Sequence, residues 1–235
     1  MRLDRFICRS TELTKDEATT VIQSGQVFVN DAAIIDPSVQ VHENNQIRLN
    51  DKTLTPREPR YLLMHKPINT ICSNIDEAYP SLFNCIEIDK ASELHIAGRL
   101  DADTTGLVLI TDDGRWSYNI THPQHLCEKV YRVTLRAPLT EEARTMLTQG
   151  ILLQGEDAPT RPAKIELVSG STPIENNQVL LTITEGRYHQ VKRMFAAVGN
   201  KVVALHREQI GEVRLDVDEG QWRFLTAEEV NSFTD

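Results

Sequence analysis

The stretch AGRLDADTTGLVLITDDG, residues 97–114, decides how the rest of the chain is read. Asp101 stands in a loop directly after Gly98-Arg99-Leu100. The chain then passes Thr104, Thr105 and Gly106 into an apolar run, LVLIT, with the length and β-branched content of a buried strand. A carboxylate in such a loop has two readings. The commoner one is a turn residue salt-bridged to Arg99. The other is a carboxylate held for chemistry, and the flanking sequence has to choose.

Outward from this stretch, short β-rich runs recur: YLLMH, KVYRVTL, AKIELV, QVLLTIT and KVVAL. Helical patterns near residues 140–149 and 188–198 separate some of them. Strands that do not alternate regularly with helices predict an α+β domain with a mainly antiparallel mixed sheet over residues 61–235. Residues 1–58 read as a separate small α/β unit of two helices and a few short strands. There TKDE (Thr14–Glu17) has the spacing of a capping box, Ala18, Val21 and Ile22 follow at helical spacing, and Gly25 is placed to end the helix. QVFVND stops at the turn-forming pair Asn30-Asp31, and VQVHENNQIRL reads as a strand pair around a polar turn. The proline-bearing LTPREPR marks a linker at about 54–60.

Composition narrows the class. The chain has 235 residues, 40% of them hydrophobic, and no apolar run near the roughly 20 residues of a membrane span. MRLDRFICRS carries charges among its apolar positions and lacks the apolar core of a signal peptide. Cys8, Cys72, Cys85 and Cys127 lie far apart with no CxxC pair, the pattern of reduced thiols rather than of a disulfide framework. A cytoplasmic, monomeric protein without membrane association is expected. The net charge of −9 removes composition as an argument for nucleic-acid binding, so any RNA reading must come from motifs.

In EGRYHQVKRMFAAVGN (185–200), Val191, Met194, Phe195 and Val198 form the buried stripe of a helix ended by Gly199. His189, Lys192 and Arg193 share a neighbouring face. A basic helix face is usually only solvated; here it would also offer a cation to Asp101. On CEKVYRVTL, Tyr131 alternates with Val133 and Leu135. It is either a half-buried core tyrosine or a ring for stacking on a base, with a hydroxyl for proton transfer. THPQHLC brings His122, His125 and Cys127 together, but without metal-ligand register, and no metal site is expected. His206 and Arg207 in LHREQIG are surface charges or phosphate contacts.

Together GRLDADTTGLVLITDDG, EKVYRVTL, EGRYHQVKRMFAAVGN and LHREQIG resemble, in wording, order and spacing, the motifs of the RsuA-type pseudouridine synthases. The N-terminal unit resembles the small S4-type RNA-binding domain that members carry in front of the catalytic domain, so the resemblance covers nearly the whole chain. It implies isomerisation of a uridine in RNA without any cofactor. The stretch DTTGLVLITDDGRWSYNIT looks most like members acting on uridine 516 of small-subunit (16S) rRNA. The resemblance further implies that Asp101 acts at the sugar, that Tyr131 stacks on the uracil and helps remove the C5 proton, and that Lys192 pairs with Asp101. Many relatives have arginine where this chain has Lys192, and a lysine lacks the bidentate fork. Arg99, Arg187, His189, Arg193 and Arg207 are expected to contact substrate RNA. Gly98, Thr104, Thr105 and Gly106 are read as small residues that let the loop approach it.

One departure from the family stands out. Residues 1–59 hold seven Lys or Arg against nine Asp or Glu, a net of −2. Gln23, Ser24 and Gln26 stand where members often carry arginine. RNA contact there rests on Arg2, Arg5, Arg9 and Lys15, and a partly assembled small-subunit ribonucleoprotein is expected as the substrate. Two alternatives stand beside this reading: a large-subunit rRNA pseudouridine synthase, and a non-catalytic rRNA-binding assembly factor. The joint presence of Asp101, Tyr131 and Lys192 argues against the second, because a pure binder has no use for that trio.

Overall fold

The structure is a computed structural model that describes residues 1–168 and 177–234. The chain divides into two compact units, Met1–Pro59 and Arg60–Asp235.

In the first unit, α1 (Leu3–Ser10) and α2 (Lys15–Gln23) cover a four-stranded sheet made of β1 (Val27–Val29), β2 (Ala32–Ala33), β3 (Ile47–Leu49) and β4 (Lys52–Thr53). Helix α2 begins in the capping box: Thr14 accepts from the Glu17 amide, and Glu17 reaches back to the Thr14 amide. Asn30 and Asp31 take φ of +49° and +67°, the left-handed pair that closes a two-residue hairpin between β1 and β2. Leu3, Ile7, Ala18, Ile22, Val27 and Ile47 form its core. VQVHENNQIRL does not form a strand pair. Val39 and Val41 instead bond the backbone of Met1 and Leu3, while β3 pairs with β1 and β4. The polar turn is present, but long-range partners were available to both of its arms.

The second unit is a mixed α+β layer around one large sheet. Its strands are β5 (Tyr61–Lys66), β6 (His95–Ala97), β7 (Thr105–Thr111), β8 (Lys129–Leu135), β9 (Lys164–Leu167), β10 (Gln178–Ile183), β11 (Val202–Ile210), β12 (Val213–Arg214) and β13 (Trp222–Phe224). The main order is β13-β5-β7-β11-β8-β10-β9, with β6 also on β7 and β12 on β11. Among the described residues every pairing of these strands is antiparallel except β7 with β11.

The sequence texture of each strand follows from its cover. Strand β7 is buried on both faces, so it reads as a continuous apolar run. On one side Val108 and Ile110 join Leu62, Met64 and the inner residues of α4 (Glu141–Gln149) and α5 (Gln190–Ala197). On the other, Leu107 and Leu109 meet Trp116 and Ile120 of α3 (Gly114–Thr121) and Phe233 beyond α6 (Ala227–Asn231). Strand β8 is covered on one face only and alternates, placing Tyr131, Val133 and Leu135 inward. Helix α3 was hidden in the sequence by its first residue, Gly114, yet Asp113 caps it by accepting from the amides of Arg115 and Trp116. No described helix is long and apolar enough to cross a membrane.

Candidate active site

The β6–β7 loop carries Asp101. A tight turn shapes it, with the Thr104 amide donating to the Asp101 carbonyl at 3.1 Å. Gly98 opens the loop at φ +94°, a left-handed conformation that a side chain would strain. Below the loop the Lys66 ammonium donates to the carbonyls of Thr104 (2.8 Å), Pro67 (3.0 Å) and Ala102 (3.3 Å). Lys66 is wholly buried, and that burial pushes its amine below the ordinary lysine value. The Leu100 amide donates to Cys72 Sγ at 3.3 Å, and the Asn69 amide to the Ala102 carbonyl at 2.8 Å.

Helix α5 brings the counter-charge. Val191, Met194 and Phe195 bury its inner stripe, each contributing roughly 1.5–3 kcal/mol of hydrophobic stabilisation. That fixes the rotation of the helix and points Lys192 at the loop. Lys192 Nζ stands 2.8 Å from Asp101 Oδ2 and 2.6 Å from Asp103 Oδ1. His189 Nε2 lies 3.4 Å from Asp101 Oδ1. Burial alone would lower the Lys192 ammonium, but its bonds to the two carboxylates outweigh that and raise it. Burial alone would raise the Asp103 carboxyl, but the bond to Lys192, the attraction of its charge and of His189, and a backbone amide together lower it.

Sheet register supplies the third wall. Arg207 of β11 stands opposite Tyr131 of β8 and Gly106 of β7. A Cβ on Gly106 would lie 2.3 Å from the Arg207 carbonyl oxygen, so this glycine serves the close approach of two strands rather than of RNA. Thr105 Oγ1 bonds His206 Nδ1 at 2.8 Å and so faces protein, whereas Thr104 is buried at the wall of the cleft. Arg207 is 1% exposed, so it is not the surface charge that the sequence also allowed. Its guanidinium donates to the carbonyls of Leu107 and Gly98, both at 2.7 Å, and to the Tyr131 hydroxyl at 3.3 Å. A buried guanidinium is tolerable only with acceptors arranged in this way.

Asp101, Lys192, Tyr131, Arg99 and Arg207 line one open cleft of about 550 Å³, in the size range of small-molecule and nucleotide sites. Arg99 is exposed at its edge. Arg187, which also lines the cleft, and Arg193 are engaged with protein acceptors. Arg187 donates to the carbonyls of Ala158 and Pro159, and Arg193 to Glu156 and the carbonyls of Gln154 and Tyr188. They tie the α5 entry to the 154–159 segment. In the first unit Arg5 and Lys15 are exposed, Arg2 pairs with the buried Asp4 at 2.7 Å, and Arg9 donates to the Arg57 carbonyl at 2.6 Å. Among the described residues no cluster of His, Cys, Asp and Glu is arranged to hold a metal ion.

The sequence reading missed Lys66, Asp103 and Tyr188. Lys66 did leave a signal, a charge closing the apolar run YLLMH.

Comparison with known proteins agrees with this geometry. The family model for RNA pseudouridylate synthase matches residues 60–197. A ribosomal small subunit pseudouridine synthase A of Haemophilus influenzae is 48% identical over 98% of this chain and 98% of its own length. The protein of the same name from Vibrio vulnificus is 46% identical over 99% of each. A crystal structure of a pseudouridylate synthase superposes with a TM-score of 0.72 at 46% identity and covers both chains completely. The chain belongs to the RNA pseudouridylate synthase family, as an enzyme of the RsuA type.

Proposed function

We propose that this enzyme converts one uridine of small-subunit (16S) rRNA, position 516, into pseudouridine. The observation that carries the mechanism is the Asp101 carboxylate, 2.8 Å from Lys192 in a cleft shared with Tyr131. The names of the full-length relatives support the small-subunit target. In the reaction the C1′–N1 bond breaks, the uracil turns, C1′ joins C5, and the proton on C5 is replaced by one on N1. Asp101 acts at the sugar. Addition to C1′ and proton abstraction at C2′ both need a charged carboxylate, for which Lys192 is the counter-ion. Tyr131 stacks on the uracil and assists loss of the C5 proton, held by the Arg207 donor at its hydroxyl.

The uridine must leave its stack to reach this cleft, at a cost of a few kcal/mol that is smallest in loops and bulges. Residues 1–58 act as an S4-like RNA-binding domain, with about 54–60 as linker and Arg2, Arg5, Arg9 and Lys15 as its contacts. Their small number favours a partly assembled ribonucleoprotein over naked RNA.

The test is tritium release from [5-³H]uridine-labelled small-subunit rRNA, naked and as a partial ribonucleoprotein, by wild type and Asp101→Asn. Release by wild type alone, faster on the ribonucleoprotein, is expected. Release only from large-subunit rRNA would move the target, and tight binding without release would leave an assembly factor.

A further inference from the structure

Tyr188 is 76% exposed, more than any other large hydrophobic side chain among the described residues, and it lines the same cleft as Asp101. Its ring lies flat on His189, with centroids 3.8 Å apart and planes at 18°. One face of the tyrosine is therefore covered and the other is open. The backbone beneath is fixed. His189 holds φ +47°, a left-handed conformation that a non-glycine residue keeps only when its surroundings impose it. Here they do: Arg193 Nη1 donates to the Tyr188 carbonyl at 3.1 Å, the Arg187 amide donates to Gln190 Oε1 at 2.8 Å, and Gln190 Nε2 donates to the buried Glu185 at 2.9 Å. Arg187 is itself anchored to the 156–159 segment. An ordinary surface tyrosine needs no such support. A ring presented to a ligand does, because a fixed ring has less freedom to lose on binding.

The inner end of the stack touches the reacting centre through His189, 3.4 Å from Asp101 Oδ1. The neighbouring cations, Lys192 and the exposed Arg99, suit a phosphate chain passing the same mouth. Extruding a uridine strips a stacking partner from the nucleotides beside it, and an aromatic side chain is the protein group that replaces one without regard to base identity. The geometry points to the open face of Tyr188 as a stacking subsite for a nucleobase adjacent to the target uridine. The inference rests on the function proposed above.

The experiment compares wild type, Tyr188→Leu and Tyr188→Trp by tritium release on the same labelled ribonucleoprotein, with KM and kcat separated. A parallel substrate carries an abasic residue on either side of the target. Tyr188→Leu raises KM on the order of ten-fold or more, the loss falls on KM rather than kcat, and tryptophan restores it. The abasic substrate that lacks the stacked base no longer distinguishes the leucine variant from wild type. An unchanged KM for Tyr188→Leu, or a loss confined to kcat, overturns the subsite while leaving the enzyme's function standing. No release by wild type overturns the functional reading and the subsite with it.

Discussion

Lys66 donates its ammonium to the main-chain carbonyl of Thr104 at 2.8 Å, from a side chain with no exposed surface. The same nitrogen reaches Pro67 and Ala102, so one buried charge gathers three carbonyls around the loop that carries Asp101. Lys66→Met keeps much of the volume and takes this donor from the Thr104 carbonyl, while Ala102 keeps the Asn69 amide and Pro67 the Thr70 hydroxyl. The expected loss is about 1–3 kcal/mol of stability. Activity is expected to fall on the order of a hundred-fold, because a small misplacement of a reacting group is costly. Urea melts and tritium release measure the two effects, and full activity at reduced stability would show that the loop does not depend on this anchor.

Gly106→Ala is expected to be severe for a different reason. Its Cβ would lie 2.3 Å from the Arg207 carbonyl oxygen and 2.5 Å from the Arg207 nitrogen, at φ +111°. A backbone contact cannot swing aside, so about 2–4 kcal/mol is expected to be lost. Gly25→Ala is the control: φ is +74° with nothing within 4 Å of the added carbon, and only the left-handed strain of about 1–2 kcal/mol applies. Equal midpoints in urea for the two variants would contradict the strand-packing account.

Tyr131→Phe keeps the ring and removes the hydroxyl to which Arg207 donates at 3.3 Å. That bond is long, and Arg207 retains its two carbonyl acceptors, so the melting temperature is expected to change little. Tritium release is expected to slow by about a hundred-fold if the hydroxyl carries the C5 proton. Single-turnover rates on labelled ribonucleoprotein decide it, and an unchanged rate would confine Tyr131 to stacking.

The ion pairs at the loop predict a pH profile. Lys192 is raised above its ordinary 10.5, so its contribution is complete below that value and is lost only as pH climbs through the higher folded value. Asp103 is lowered below 3.8, so its contribution is complete above that value and is lost as pH falls through the lower folded one. Neither group changes charge between about pH 5 and 9. Any limb of the rate profile in that range is expected to be shared by wild type and Lys192→Arg. A limb that moves on this substitution would assign it to the lysine.

Much of the fold was legible in the sequence because local patterns set it. The TKDE cap, the Asn30-Asp31 turn, the α5 stripe and the alternation around Tyr131 each depend on neighbours within a few residues. The arms of VQVHENNQIRL were misread because their partners lie far away, at Met1, Leu3 and Val27–Val29. The pairing of Asp101 with Lys192, 91 residues apart, was suggested by the basic face of α5 and fixed on Lys192 by motif wording, since no local rule links them.

Charge was the hardest feature to read. Lys and Arg are almost always exposed, so a sequence reading sends them to solvent or to phosphate. Here Lys66 and Arg207 are buried, and Arg187 and Arg193 are committed to carbonyls and Glu156. Their burial follows from sheet register and loop closure, which no single segment reveals. Asp103 was overlooked because it sits beside a more conspicuous aspartate. It nevertheless takes the second bond of a lysine that lacks a guanidinium's fork.

Ties from β5, β11 and α5 converge on the Asp101 loop; its Thr104 and Leu100 amides donate to the Asp101 carbonyl and Cys72 Sγ, and its Ala102 carbonyl accepts from Asn69. The Leu100 and Thr104 amide hydrogens are expected to exchange with solvent far more slowly than those of an ordinary surface loop, because releasing them requires these ties to open. An enzyme built this way has little capacity to search for its substrate by moving the reacting group. In the function proposed above, the travelling is left to the RNA, and selectivity becomes a matter of which uridines can reach a carboxylate that does not move.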